Sequence, residues 1–153
     1  MEAKISFFVE GNPKAQPRPR ATVRGKHASI YDCGTANEWK YKVAMKLRET
    51  VKKLDIEPTD KPVVLYIDLQ IARPKSHYYQ SEKRKGELKP NAPRWHTAKP
   101  DVDNFAKAIM DAINDSNLVW KDDSQVCFLQ ITKEYAPANM VGANIRIDIL
   151  KES

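Results

Sequence analysis

Residues 99 to 113, KPDVDNFAKAIMDAI, constrain the fold more than any other stretch of this chain. Wound as a helix at about 100° per residue, Val102, Phe105, Ala106, Ile109, Ala112 and Ile113 fall within one arc about 120° wide. Asp103, Lys107, Asp111 and Asn114 lie roughly opposite, with Asn104 at their edge. A helix with one apolar stripe has to bury it against a second layer. The polar side opens with two aspartates one residue apart, followed by a lysine and a third aspartate.

The flanking segments supply that layer. AKISFFV, residues 3 to 9, predicts a strand closed by the turn signal EGNP. KPVVLYIDLQIARP, residues 61 to 74, is rich in β-branched residues and stops at Pro74. QVCFLQITKEY and the alternating ANIRIDIL predict two more strands, separated by APANMVG. Thr35 with Glu38 three residues on has the form of a capping box. Trp39, Val43, Leu47, Val51 and Leu54 then recur at helical spacing, predicting a first helix of about 20 residues. Between Asn12 and Gly34, Pro13, Pro17 and Pro19 exclude a helix and predict a loop or irregular hairpin presenting arginines. Residues 75 to 98 predict a long loop. The order β, loop, α, β, long loop, α, β, β predicts an α+β fold: a four-stranded mixed sheet with two helices packed against it. A length of 153 residues suits a single domain spanning 1–153.

With 41% hydrophobic and 30% charged residues the chain has the balance of a folded, soluble protein. No apolar run approaches the roughly 20 residues that span a bilayer. The start, MEAKISFFVEG, lacks the basic n-region of a signal peptide, so a cytoplasmic location is expected. Cys33 and Cys127 stand far apart and are expected as free thiols, and His27, His77 and His96 lack zinc-site spacing.

A net charge of +6 favours an acidic partner, nucleic acid first. Lys14, Arg18, Arg20, Arg24 and Lys26 occupy KAQPRPRATVRGK with no acid among them. The loop from 75 to 98 carries Lys75, Lys83, Arg84, Lys85, Lys89 and Arg94, interleaved with Tyr78, Tyr79 and Trp95. Cations grip phosphates and aromatics stack on bases, so Arg18, Arg20, Arg24, Lys75, Lys83, Arg84 and Lys85 are the expected DNA contacts. The acids Asp101, Asp103, Asp111, Asp115, Asp122 and Asp123 crowd instead into one later segment. A basic surface around an acidic focus suits a metal-dependent enzyme that acts on a polyanion.

Each acid also has an ordinary structural explanation. Asp101 follows Pro100 and is placed as a helix N-cap, Asp103 gains from the helix dipole, and Lys107 with Asp111 makes a surface ion pair. WKDDSQV adds Asp122 and Asp123 at the entrance to the next strand, whose start is expected to approach the helix at one end or the other. Carboxylates brought together repel unless a cation is supplied. Mg²⁺ prefers oxygen ligands and is typically held by one or two carboxylates plus substrate phosphate.

The pattern Asp-x-Asp-Asn-x-x-Lys-x-x-x-Asp over 101 to 111, then Asp-Asp-x-Gln over 122 to 125, resembles the RusA family of Holliday junction resolvases, bacterial and often prophage-borne. The likeness is strongest from Lys99 to Val126 and looser elsewhere, where GNPKAQPRPR and the order of elements agree. It implies that Asp101, Asp103 and Asp123 are catalytic metal-binding carboxylates, with Asp122 as the alternative register for the third. It implies Lys107 as the essential lysine, Mg²⁺ as cofactor with Mn²⁺ substituting, four-way junction DNA as substrate, and a homodimer. Two symmetrical nicks need two sites related by a twofold axis.

Three other readings meet the same residues. A restriction-type nuclease expects an Asp/Glu-x-Lys element where this chain has QITKE. A non-catalytic basic DNA-binding module would use the aspartates only as caps. A sugar-nucleotide transferase with a DxD site needs more chain than 153 residues.

Overall fold

The structure is a computed structural model describing residues 2–17, 20–24, 27–31, 34–137 and 140–151, with backbone only for 20–24 and 27–31. Strands β1 (Ala3–Glu10), β4 (Val63–Ile71), β5 (Val126–Tyr135) and β6 (Gly142–Ile149) form one mixed sheet in the order β1-β6-β4-β5. β6 runs antiparallel to both neighbours, with Ile147 opposite Ile5 on one side and Leu65 on the other. β4 and β5 are parallel, and parallel neighbours need a crossover. The crossover is helix α2 (Val102–Ser116). A separate hairpin, β2 (Arg20–Arg24) with β3 (His27–Tyr31), occupies the region expected as a loop or irregular hairpin.

Period-two alternation sends Val63, Leu65, Ile67, Leu69 and Ile71 of β4 to the buried face. Ile5, Phe7, Val9, Ile145, Ile147 and Ile149 join them, and both helices cover this face. Helix α1 (Asn37–Leu54) contributes Trp39, Val43, Leu47 and Val51. From α2 come Phe105, Ala106, Ala108, Ile109, Ala112 and Ile113. The expected α+β sheet with two helices is therefore the observed architecture.

Some local expectations fail for identifiable reasons. Thr35 does not cap α1: the N-cap is Ala36, with no side-chain cap bond, because Gly34 to Asn37 forms a turn before the helix. Leu54 and Val102, placed on the apolar stripes, are 47% and 39% exposed, since each sits at a helix end beyond the sheet's cover. The 75 to 98 segment is a long loop, as expected, with local order of its own. It begins with a 3-10 turn, Lys75–His77, is bridged at Tyr78↔Leu88, and joins β5 at Trp95↔Glu134.

Candidate active site

The approach to α2 is anchored on β5. His96 N–H donates to the Lys133 carbonyl at 3.0 Å, and Tyr135 N–H donates to the Arg94 carbonyl at 2.9 Å. The Lys133 ammonium then donates to the carbonyls of Ala98 and Pro100, both at 2.8 Å. These bonds hold the residues just before Asp101 against the C-terminal end of β5. From the other side Gln16 N–H donates to the Asn104 carbonyl at 2.9 Å, drawing the chain after β1 onto the start of α2. A cleft opens here, lined by Lys14, Gln16, Lys99, Asp101 and Asn104.

Asp101 occupies the N-cap position with extended backbone, φ −72° and ψ 156°, yet its side chain makes no cap bond. The capping explanation for this carboxylate therefore lapses. Asp101 and Asp103 are both exposed, and among the described residues neither carboxylate has a hydrogen-bond or ion-pair partner. They share one helix end whose free N–H groups favour anions. Lys107 lies one turn after Asp103 and pairs with Asp111 at 3.1 Å, as the surface-pair reading expected.

The Asp122 and Asp123 pair separates cleanly. Asp122 is a capping residue: its carboxylate accepts from Ser124 N–H at 3.0 Å, while Gln125 Oε1 accepts from Asp122 N–H at 3.0 Å. The Ser124 bonds hold the Asp122 carboxyl below its ordinary range. Gln125 Nε2 donates to the Thr59 and Lys61 carbonyls, both 2.9 Å, fixing this turn to the start of β4. Asp123 is half-buried, and its carboxylate has no partner among the described residues.

Asp123 does not meet Asp101 and Asp103 within one chain. Trp120 Nε1 donates to Asn114 Oδ1 at 3.1 Å, so the connection after α2 stays at that helix's C-terminal end. Asp123 lies there, beside the start of β5, whereas Asp101 lies by Lys133 near the strand's finish. From Val126 to Lys133 is seven residues of strand, about 23 Å. The 15 residues of α2 span about 22 Å in the opposite direction. The start of β5 thus approaches the helix at the end away from its aspartates. Accordingly, no three His, Cys, Asp or Glu side chains among the described residues are grouped to hold a metal ion.

Of the expected DNA contacts, Arg18 and the side chains of Arg20 and Arg24 lie outside what is described. Lys75, Lys83, Arg84 and Lys85 are exposed. Arg84 lies 3.8 Å over the Tyr79 ring and bonds Glu87, so part of the cation and aromatic interleaving is spent within the loop. Cys127 is a free, exposed thiol, while Cys33 lies outside the described residues.

Sequence reasoning missed the role of Lys133, which sits in the QITKE stretch weighed only for a different nuclease class. It also missed His96, which is buried against Phe105 and Tyr135. Burial, and then the Lys133 ammonium, hold the His96 imidazole below its ordinary pKa of 6.5. The one available signal was a lone His between Trp95 and the stretch that opens at Lys99.

Comparison with known proteins fits this architecture. A family model described as endodeoxyribonuclease RusA matches residues 10–148. The chain is also 34% identical over 142 residues, 93% of its length, to "Uncharacterized protein YqaN" of Bacillus subtilis (strain 168), covering 95% of that protein.

Proposed function

Because the chain belongs to the RusA family of endodeoxyribonucleases, we propose that it is a divalent-metal-dependent nuclease resolving four-way DNA junctions by paired symmetrical cuts, as a homodimer serving recombination and repair. One observation carries the metal reading: among the described residues Asp101 and Asp103 have no partner at the helix N-terminus they share, and Asp101 holds the cap position without capping. Exposed aspartate oxygens are the donor set Mg²⁺ takes, so the residues present fit the ion. Asp101 and Asp103 would hold it, with Mn²⁺ as a substitute, and Asp123, at the other end of α2, would reach such an ion only from the second copy of the homodimer. The ion would supply Lewis acidity toward the phosphate and lower the pKa of a bound water.

The chain's own groups have separable tasks. Lys107, exposed and loosely held by Asp111, would offset charge developing on the phosphate. Lys133 fixes the backbone leading to Asp101, so the carboxylates are positioned before substrate arrives. Lys14 and Lys99, lining the cleft beside Asp101, favour entry of the DNA backbone. Asp122 is engaged in the turn, which favours Asp123 over it as the third ligand.

Asp101→Asn, Asp103→Asn and Asp123→Asn should each abolish junction cleavage while junction binding by gel shift is retained or tightened. Neutralising a carboxylate removes metal affinity and also lessens repulsion of DNA. Full cleavage by all three variants would overturn the proposal, leaving a binding module whose aspartates are structural.

A further inference from the structure

The cleft beside Asp101 engages neither the free edge of β1 nor the flank of α1 that carries Tyr41 and Met45. β1 is an end strand of the sheet and pairs with β6 alone. Gly11 N–H donates to the Val141 carbonyl, and by alternation Val9, Phe7 and Ile5 also turn their backbone groups to β6. The N–H and C=O groups of Lys4, Ser6, Phe8 and Glu10 therefore point away from the sheet. Among the described residues no strand pairs with this row. Edge strands are commonly shortened, bulged or covered, yet this one keeps regular register over eight residues. Charged side chains, Lys4 and Glu10, stand only at its two ends.

Helix α1 makes a wall along that edge. A groove of about 740 Å³ runs between Val9 and Glu10 on one side and Tyr41, Lys42 and Met45 on the other. It shares Lys46 and Glu49 with a second hollow of about 270 Å³, which reaches from Ser6 and Phe7 to Lys53 and Leu54. Tyr41 and Met45 are 65% and 40% exposed, apolar surface left bare beside an unfinished sheet. The wall is also cationic: α1 carries Lys40, Lys42, Lys46, Arg48, Lys52 and Lys53 against Glu38 and Glu49. Lys42 and Lys46 hold those two acids, and Lys53 has no ion-pair partner among the described residues.

We infer that this groove docks an extended acidic segment of a partner protein, which adds to β1 as a further strand of the sheet. Main-chain bonds to Ser6 and Phe8 give affinity, and the partner's side chains facing α1 give selectivity. Four helical residues rise about 6 Å and two strand residues about 6.6 Å, so positions i and i+2 of the segment stand level with Tyr41 and Met45. Those positions take apolar side chains. Position i+4 falls between Lys46 and Lys53 and takes an acid. A segment in this order runs antiparallel to β1, because α1 passes Val9 before it passes Ser6. A second copy of the chain is a poorer occupant, since β1 on β1 would bring two cationic α1 walls together. A nucleic acid strand meets the lysines but has no alternating N–H and C=O row to match the edge.

Fluorescence anisotropy tests this with the whole protein and a labelled peptide, Thr-Leu-Thr-Leu-Thr-Asp-Thr-Asp. The wild type should bind it, and exchanging both aspartates for lysine should weaken binding about tenfold or more. Only every second amide of an added strand faces β1. N-methylation of one alternate set of peptide amides should therefore abolish binding, and of the other set should leave it. Lys53→Glu and Met45→Asp should each weaken binding about tenfold. Ser6→Pro, which loses an outward N–H and no bond to β6, should abolish it. If the proline variant fails to fold, the two helix-surface variants still decide. No binding at millimolar peptide, equal effects of the two N-methylated sets, or wild-type affinity in every folded variant overturns the inference. Light scattering covers the remaining occupant: a wild-type dimer that Ser6→Pro turns into monomers gives the edge to a second copy and overturns the partner segment. The same variants should cut junctions as the wild type does. Wild-type protein that binds the peptide yet cuts no junction would defeat the nuclease reading and leave this inference supported.

Discussion

At the scale of single residues, the carboxylates divide by what already occupies them. Asp122 is engaged by Ser124 N–H, whereas Asp101, a cap by position, makes no cap bond. Asp122→Ala should therefore lower stability, typically by about 1 kcal/mol for a lost cap, and leave Mn²⁺ affinity near wild type. Asp123→Ala should do the reverse, and equal effects on both measurements would erase the distinction. His96 gives a pH signature. Its folded pKa lies below the ordinary 6.5, so the unfolded chain takes up the proton first as pH falls. Its contribution to stability is full above about 6.5 and is lost as pH drops through that value toward the folded pKa. His96→Phe should flatten the melting temperature against pH in this window. Removing the nearby ammonium with Lys133→Met should raise the His96 pKa, read by NMR titration, and slow cleavage by loosening the residues before Asp101. An unchanged titration would show that the ammonium does not act on the ring.

At the scale of elements, helix α2 was legible because amphipathic periodicity is local. Its arc of Phe105, Ala106, Ile109, Ala112 and Ile113 is buried as the spacing required. The β strands followed from β-branched runs and alternation. Which end of α2 the start of β5 would meet was not legible. That depends on the parallel pairing of β4 with β5 and on the Gln125 bonds to Thr59 and Lys61, contacts across 64 and 66 positions of sequence. Position 142 was equally silent. A Cβ there would lie 2.2 Å from the Val9 carbonyl oxygen and 2.6 Å from the Phe8 ring, so only glycine lets β6 pass β1. Gly142→Ala should cost on the order of 1–3 kcal/mol by the usual scale of overpacking. Chemical denaturation would read that loss, and a neutral result would mean that β1 shifts freely.

At the scale of the whole molecule, charge is laid out for a polyanion around a small acidic focus. The +6 chain exposes Lys75, Lys83, Arg84 and Lys85 on the segment that leads toward α2. Junction affinity should fall linearly with salt on logarithmic axes. Each phosphate-contacting lysine or arginine replaced by alanine should reduce the slope by about one. An unchanged slope for the triple replacement of Lys83, Arg84 and Lys85 would remove this loop from the DNA surface. The residue pattern carried family membership at this scale, while the separation of Asp123 from Asp101 and Asp103 follows from how α2 crosses between β4 and β5, which no local stretch encodes.

The central claim is that the paired aspartates at the start of α2 serve phosphodiester hydrolysis in branched DNA. The direct measurement incubates the wild-type protein with an end-labelled synthetic four-way junction and a matched linear duplex, in Mg²⁺ and in EDTA. The account predicts paired, symmetrically placed nicks in the junction alone, absent with EDTA and with Asp103→Asn. Junction binding with no cut in either Mg²⁺ or Mn²⁺ would contradict it.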